Sequence, residues 1–384
     1  MSSGTGGGYW DEKALPSVFK HELLKRYLSP FGGMTGSHAR DKLVVYLDGY
    51  AGEGRYESGE PGSAEIALRV ASHHRSRGLT LSCFFVEQQA KSFARLEEVV
   101  AGYQRRGVQA VARRGGVDDV LDDVLHQAVQ APLFLFLDPC GLCLPLDRLA
   151  GAFRQRPHRW PPTELLMNFS MMAVRRIGGH VRSSKGNEKT LQRFDAVCGG
   201  TWWREYFAAG RPDAAEKVAA EYGRRLGRRA GLSVVSVPVA HKPGDKPVYH
   251  LVFGTRSPYG LWVFGDTVAR ARDEWWKTLE LREEDTEMTL FSTTSLKQPD
   301  PGEIAARAVP HIAGNLGDLL QRERRPVKLV DYTLEVLGRY YGQVPDPVVR
   351  KAVQLLHKQG GTPSDGVGER HVRNIVLRPG PVAA

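Results

Sequence analysis

A glycine-containing turn follows the first strongly apolar segment of the chain and has the composition of a ligand-binding loop. The segment 43–47 runs directly into Asp48, and the pair Gly52 and Gly54 follows after Ala51. Small residues let backbone amides approach a ligand closely, and the carboxyl ends of parallel strands form the usual ligand crevice. The spacing departs from the dinucleotide fingerprint, and no Gly-Lys-Ser/Thr phosphate loop follows.

An acidic residue ends the next apolar segment. Glu87 follows the run 79–86, and a carboxylate at the tip of a neighbouring strand can accept hydrogen bonds from both hydroxyls of a ribose. Together with Asp48 and the two glycines, it predicts a site for a ribose-containing cofactor. The alternative interpretation is that Asp48 only stabilises a turn and that Glu87 only caps a helix.

A second candidate site follows the fourth apolar segment, 133–137. It is the tetrapeptide Asp138-Pro139-Cys140-Gly141. An acid before a proline can present a side-chain oxygen together with a backbone carbonyl, and these two acceptors can hold and orient an amino group. Cys140 and Cys143 also form a Cys-x-x-Cys, so a thiol redox site is a less favoured alternative.

The elements that must position these residues alternate between apolar segments and helical patterns. Strands are predicted at 43–47, 79–86, 108–111, 133–137 and 164–170. Helices are predicted at 18–28, 63–76, 88–105 and 117–130. Because near-continuous apolar strands alternate with helices, we expect an α/β domain with a doubly wound parallel sheet covered on both faces.

Later segments depart from this alternation. The apolar runs 232–239 and 248–255 are separated by a turn-rich connector, which favours a terminal antiparallel hairpin. The polar and basic stretch 175–200 is interpreted as a long loop or insertion, whereas 214–229 has helical spacing.

Linker-type residues at 298–302 predict a division of the chain. The expected parts are a flexible N-terminal tail at 1–17, a main domain at 18–297, a linker with a connecting helix at 298–329, and a small domain at 330–380. Two predicted helices, 330–341 and 346–359, and the strand-like segment 373–377 favour a winged-helix-type module. A protein-contact role and a nucleic-acid-binding role for this module are both open.

The two candidate sites resemble those of S-adenosylmethionine-dependent methyltransferases. In those enzymes the first motif has an acid-x-x-Ala/Gly-Gly-x-Gly pattern, and the Rossmann-like sheet carries an extra antiparallel hairpin. The tetrapeptide at 138–141 is similar to the Asp-Pro-Phe-Gly motif of some tRNA guanine N2-methyltransferases. Cys140 replaces the aromatic residue of that motif, so the stacking of a flipped base would fall to Phe169 or Tyr56.

A longer resemblance covers most of residues 18–290. The segments 46–56, 59–63, 138–141 and 168–170, with the opening helix 20–28, are similar to the three-Cys-motif partner proteins, the TcmP family. That family is named for a genomic partner, a radical-enzyme-like protein with three cysteines. It is assigned a methyltransferase-like fold, and some members end in a winged-helix-type domain.

The name of that family supplies no reaction. The resemblance of the two candidate sites to methyltransferase motifs implies S-adenosylmethionine as cofactor, and methyl transfer to an amino group of a nucleobase in nucleic acid or a nucleoside. The implied cofactor-binding residues are Asp48, Ala51, Gly52, Gly54 and Glu87. The implied catalytic residues are Asp138, Pro139 and Gly141. The predicted substrate-binding residues are Arg55, Tyr56, Phe169, Arg175 and Arg176. The alternative is a non-catalytic protein that binds cofactor or nucleic acid as the partner of the three-cysteine protein.

Composition excludes several other classes of protein. The 384 residues are 41% hydrophobic and 25% charged, as in ordinary globular chains, and the formal net charge of +10 favours anionic partners. Four cysteines are too few for disulfide bonds to stabilise a chain of this length, so we expect reduced thiols. The sequence has no apolar run of membrane-spanning length and no secretory signal, so we expect a cytoplasmic protein without membrane or metal sites.

Overall fold

The structure, a computed structural model, describes residues 14–183, 185–287 and 298–380, and most of the predicted tail lies outside these ranges. The chain divides into two compact units between Arg256 and Ser257. The predicted boundary at 297 therefore lies within the second unit, because the helix that follows Ser257 contributes Trp262 to the core of the C-terminal helices.

The first unit is built on a seven-stranded sheet. Its strands are β1 (Leu43–Asp48), β2 (Thr80–Glu87), β3 (Ala110–Arg114), β4 (Leu133–Leu137), β5 (Thr163–Ser170), β6 (Ser233–Val239) and β7 (Tyr249–Thr255). The strand order is β3-β2-β1-β4-β5-β7-β6. The first five strands are parallel, and β7 is antiparallel to both of its neighbours. This confirms the predicted doubly wound sheet with a terminal antiparallel hairpin.

Helices cover both faces of the sheet. They are α1 (Leu15–Gly36), α2 (Ser63–Arg75), α3 (Ala90–Gln104), α4 (Val117–Gln127), α5 (Leu146–Arg154), α6 (Met171–Gly179), α7 (Glu188–Cys198), α8 (Trp203–Ala208) and α9 (Ala214–Ala230). All five residues of the central strand β4 are buried, as a strand enclosed on two faces requires.

Helix α1 is longer than its sequence pattern predicts. The predicted helix 18–28 stops before Pro30, whereas α1 continues through this proline to Gly36. A proline inside a helix removes one backbone donor and strains the preceding turn. The turn after Pro30 packs on the core through Phe31, whose ring lies 5.3 Å from that of Phe134. Within this turn the Thr35 hydroxyl donates to the Phe31 carbonyl over 2.6 Å.

The prediction of a long loop at 175–200 is wrong, because two capped helices, α6 and α7, occupy most of this stretch. The Ser170 side chain accepts a hydrogen bond from the Ala173 amide at the start of α6. The Asn187 side chain accepts one from the Thr190 amide at the start of α7. Buried apolar residues spaced three or four apart then fix each helix to the core.

The second unit has its own hydrophobic core. Its elements are α10 (Pro258–Glu287), α11 (Pro301–Glu323), β8 (Val327–Lys328), α12 (Thr333–Leu337), α13 (Asp346–Lys358) and β9 (Val376–Leu377). The predicted helix 330–341 is interrupted at Gly338, which has a φ of +49°. The two short strands pair antiparallel, and the winged-helix assignment stays a prediction.

None of the helices in the described part of the chain combines the length and the apolar character that crossing a membrane requires.

Candidate active site

A cavity of about 260 Å³ lies at the carboxyl ends of the parallel strands. Its walls are the loop after β1, the end of β2, the loop after β3, the tetrapeptide after β4 and the first half of α1. The topology predicts this position, because neighbouring parallel strands whose connections diverge leave a crevice at their carboxyl ends. The two candidate sites of the sequence therefore border one cavity.

The glycine loop after β1 needs glycine for its backbone conformation. Gly52 and Gly54 have φ values of +61° and +80°, a region that residues with side chains rarely adopt. The loop also folds back tightly, since the Gly62 amide donates to the Gly54 carbonyl over 3.0 Å. A Cβ atom on Gly62 would lie 2.9 Å from that carbonyl oxygen, so this close approach tolerates no side chain. Ala51 and Gly52 line the cavity as a result.

Glu87 joins the first loop to the end of β2. Its Oε2 accepts a hydrogen bond from the Gly52 amide over 3.0 Å, and its Oε1 accepts one from the Gln89 amide over 2.7 Å. A carboxylate has about four lone-pair positions, so each oxygen can accept a further hydrogen bond. Because Glu87 lines the cavity, its remaining acceptor positions are available to hydroxyl groups of a ligand.

Asp48 shapes the loop from behind the cavity. Its side chain is fully buried, and its Oδ1 accepts a hydrogen bond from the Tyr50 amide over 3.2 Å. Burial raises the pKa of Asp48 to about 7, although the Ser63 hydroxyl and the Tyr50 amide act in the opposite direction. Asp48 and Gly54 were predicted to bind cofactor, but the structure places both outside the cavity lining, where they hold the loop in shape.

The Asp138 carboxylate is held by two side chains that the sequence motif does not contain. Lys20 of α1 forms an ion pair with Oδ2, and the Asn168 amide of β5 donates to Oδ1 over 2.8 Å. Lys20 is 3% exposed and lines the cavity, so a cation lies beside the predicted acceptor group. A signal for Lys20 was present in the sequence, because it occupies a position among the apolar residues of the first predicted helix.

The rest of the tetrapeptide also faces the cavity. Pro139, Cys140 and Gly141 all line it, and a Cβ atom on Gly141 would meet nothing within 4 Å. Burial raises the pKa of Cys140, and it raises that of Cys143 to about 12. Both groups are therefore protonated thiols near neutral pH, which disfavours the thiol redox alternative, since the thiolate is the reactive form.

One wall of the cavity was not predicted from the sequence. Three residues that follow β3 also line the cavity, namely Gly115, Gly116 and Val117. The Gly115 amide donates to the Glu87 carbonyl over 3.1 Å. The Gly116 amide donates to the Asp119 carboxylate over 2.8 Å, which caps the start of α4. The glycine pair directly after a predicted strand was the available signal.

The predicted substrate residues are only partly brought together. Tyr56 lines the cavity, with its ring centre 5.9 Å from that of His21. Arg55 instead points to Glu65, to which it donates two hydrogen bonds of 2.7 and 2.6 Å. Phe169 is buried in the core and stacks on Tyr222 at 4.5 Å, so it is not available for base stacking in the cavity.

Two further predicted substrate residues lie on α6, away from the cavity lining. Arg175 donates to the Pro247 carbonyl and pairs with Glu216, both over 2.9 Å. Arg176 is exposed. Neither of them lines the cavity, because α6 leaves the edge of the sheet after Ser170.

No protein-family model matches the sequence, and no curated protein matches it. Among solved structures, the chain is similar to an O-methyltransferase from Bacillus cereus in complex with S-adenosylhomocysteine, at 13% identity and a TM-score of 0.31, over 62% of this chain and 80% of that chain. It is similar to the small RNA methyltransferase HEN1 at 12% identity and a TM-score of 0.31, over 59% of this chain and 25% of that chain. It is also similar to the Podospora anserina methyltransferase PaMTH1, bound to S-adenosylhomocysteine, at 14% identity and a TM-score of 0.26, over 62% of this chain and 86% of that chain.

Because these sequence identities and TM-scores are low, the similarity supports no conclusion about the substrate of this protein. The fold follows from the chain's own strands. The order β3-β2-β1-β4-β5-β7-β6, with β7 antiparallel, is that of the Rossmann-like methyltransferase sheet.

Proposed function

We propose that this protein is an S-adenosylmethionine-dependent methyltransferase that acts on an amino group of a nucleobase in nucleic acid or a nucleoside. The observation that carries the proposal is the shared cavity. Glu87 and the Gly52 loop border one part of it, and Asp138 with Pro139 borders another. A methyl transfer requires cofactor and acceptor to meet in one place, and this cavity provides such a place.

The charges around the cavity fit a cationic cofactor. Glu87 and Asp138 both line it, and the buried Asp48 lies directly behind the first loop. Lys20 is committed to Asp138 through an ion pair. The surplus of carboxylates suits a sulfonium cation. When bound, S-adenosylmethionine supplies an electrophilic methyl group, and Glu87 would hold its ribose while Ala51 and Gly52 border it with backbone atoms.

The acceptor side fits a group that donates hydrogen bonds. Asp138 forms an ion pair with Lys20, and the carboxylate of an ion pair only accepts hydrogen bonds. Each of its oxygens has one protein donor and keeps a further acceptor position. Pro139 follows in the chain and lines the same cavity, so its backbone carbonyl would be the second acceptor. Such a pair can bind both hydrogens of an amino group and orient its nitrogen lone pair.

A nucleobase is the amino-bearing acceptor that the remaining features favour. Tyr56 is 4% exposed and supplies an aromatic wall to the cavity. A base that is removed from its stack is commonly held against aromatic and apolar side chains. The net charge of +10 favours an anionic partner such as nucleic acid.

The first test is calorimetric titration of the purified protein with S-adenosylmethionine and S-adenosylhomocysteine. We expect saturable binding that is lost in Glu87→Ala, because this variant removes the ribose acceptor and the partner of the Gly52 amide. Glu57→Ala is the matched control, since Glu57 is 52% exposed and outside the cavity lining. Absence of binding by the folded wild-type protein would contradict the proposal.

The second part of the test is transfer of a labelled methyl group to RNA, DNA and nucleosides. We expect the label on a base amino nitrogen of at least one of these acceptors. Cofactor binding without transfer to any of them would favour the non-catalytic alternative, a binding partner of a radical-enzyme-like three-cysteine protein. Co-purification with that protein would then be the next measurement.

A further inference from the structure

A second concave surface continues from the cavity along α1 and α2. This groove has a volume of about 470 Å³, and its walls include Lys25 and Arg26 of α1 and Arg69 of α2. His21 lines both the cavity and the groove. Its neighbour in the chain, Lys20, is the partner of Asp138, so the groove begins beside the acceptor side of the cavity.

The groove carries an excess of positive charge on α1. Glu22 is the acid there, and it faces two cations, with its carboxylate 3.6 Å from Lys25 and 2.7 Å from Arg26. The Lys25 and Arg26 side chains are 64% and 37% exposed, whereas that of Glu22 is 15% exposed. The side chains of the two cations are therefore more exposed to solvent than the carboxylate that they share.

A second acid, Glu65 of α2, is also shared by two cations, of which Arg69 lines the groove and Arg55 lies outside its lining. The Glu65 carboxylate, whose side chain is 1% exposed, is shared by Arg55 at 2.6 Å and Arg69 at 3.1 Å. The two arginine side chains are 49% and 55% exposed. Each acid is thus outnumbered two to one by cations, and each pair of cations has an accessible outer face.

From this arrangement we infer that the groove binds phosphate groups carried by the methyl acceptor, next to the base that occupies the cavity. The inference rests on the proposed function. It narrows the proposed methyl acceptors from nucleic acids and nucleosides to those that carry phosphate groups. Arginine and lysine are the usual partners of phosphate oxygens. The apolar side chains of Ile66 and Val70 line the same groove and provide a surface for the sugar. Three cations, Lys25, Arg26 and Arg69, line the groove and match more than one phosphate, which favours a nucleic-acid strand.

The test is fluorescence anisotropy of labelled short single-stranded RNA and DNA oligonucleotides, titrated with the full-length protein at several salt concentrations. The groove variant combines Lys25→Gln and Arg69→Gln, and Glu65 keeps Arg55 and Tyr103 as partners in it. The matched control is Arg40→Gln, which removes an exposed arginine just before β1, outside the lining of both the groove and the cavity.

We expect the groove variant to bind the oligonucleotide at least tenfold more weakly at low salt. The slope of log affinity against log salt should become shallower by roughly 1.4, since each phosphate of a single strand that the protein no longer neutralises reduces it by about 0.7. The control should bind like the wild type. Affinity for S-adenosylhomocysteine should be unchanged in both variants, which separates a failure of the groove from a failure of the proposed function.

Competition with unlabelled ligands identifies the source of the phosphate. A nucleoside monophosphate that competes as well as the oligonucleotide would assign the groove to a free nucleotide, and stronger competition by the oligonucleotide would assign it to a strand. Equal oligonucleotide affinity of the groove variant and the wild type would overturn the inference. The inference would also be overturned if the wild-type protein bound S-adenosylhomocysteine but bound neither the oligonucleotide nor the nucleoside monophosphate.

Discussion

At the scale of single residues, Asp138 is defined by its two protein partners. Lys20 and Asn168 come from α1 and β5, and each holds a different carboxylate oxygen. Removing two opposite charges from water is costly unless their geometry and hydrogen bonds compensate, and this pair satisfies both conditions. Asp138 is thereby held in one orientation at the cavity, as its proposed role in orienting a nucleophile requires.

We predict that Asp138→Asn binds S-adenosylhomocysteine like the wild type but transfers methyl groups about 10²- to 10³-fold more slowly, the usual effect of removing one preorganised polar group. The amide has nearly the same shape, but it replaces an acceptor oxygen by a donor, so it no longer matches an amino group. Single-turnover methyl transfer with the identified acceptor is the measurement. Asp147→Asn, at an acid that is 73% exposed, is the control, and wild-type turnover in Asp138→Asn would refute the role.

The sequence predicts the cavity-lining residues that directly follow or end a strand better than those on other parts of strands and helices. Gly52, Glu87 and Asp138 meet as expected, because the carboxyl ends of parallel strands converge whatever the details of packing. Phe169 does not, because neighbouring residues of a strand point to opposite faces of the sheet. Asn168 reaches Asp138, and Phe169 therefore enters the core on the other side.

At the scale of elements, Glu164 connects three of them. Its carboxylate accepts hydrogen bonds from Tyr27 of α1 over 2.5 Å and from Thr255 of β7 over 2.7 Å, while Glu164 itself belongs to β5. The side chain is 2% exposed, and burial raises the pKa of Glu164 to about 7 although both hydroxyl groups lower it. The folded state therefore favours the protonated, uncharged form.

This shift predicts how stability depends on pH. A carboxyl group whose pKa rises on folding stabilises the folded state below its unfolded pKa of about 4.3, and this contribution is lost as pH rises through about 7. In Glu164→Gln the side chain is uncharged throughout. The free energy of unfolding of the variant relative to the wild type should rise by about 3 kcal/mol between pH 4.5 and pH 8.

Urea denaturation of both proteins across this pH range is the measurement. The control is Glu60→Gln, at an exposed position, which should follow the wild type at every pH. A constant difference between Glu164→Gln and the wild type at all pH values would mean that Glu164 is ionised in the folded protein, contrary to the prediction.

The errors at the element scale have a common physical origin. Composition favours a loop at 175–200, yet Val174 and Ile177 of α6 and Leu191 and Phe194 of α7 supply a buried helical stripe. Such short helices have little stability of their own and depend on packing. The high average polarity of the segment 175–200 therefore did not indicate them. The strands were easier to predict, because continuous apolar runs bounded by turns require no knowledge of tertiary contacts.

At the scale of the whole molecule, the candidate chemistry belongs to the first unit alone. Every residue that lines the cavity precedes Cys143, and the groove ends at His73. Each unit has a separate buried core. The described linings of the cavity and of the groove are therefore built from residues of the first unit.

We therefore predict that a chain ending at Arg256 folds cooperatively and binds S-adenosylhomocysteine within about twofold of the full-length affinity. The cut falls directly after β7, so all seven strands of the sheet and the residues that line the cavity are retained. The measurement is calorimetric titration, with a cooperative thermal transition as the test of folding. A folded fragment that has lost its affinity would show that residues after 256 complete the site, whereas a folded fragment that binds cofactor but no longer methylates nucleic acid would assign the second unit to acceptor binding.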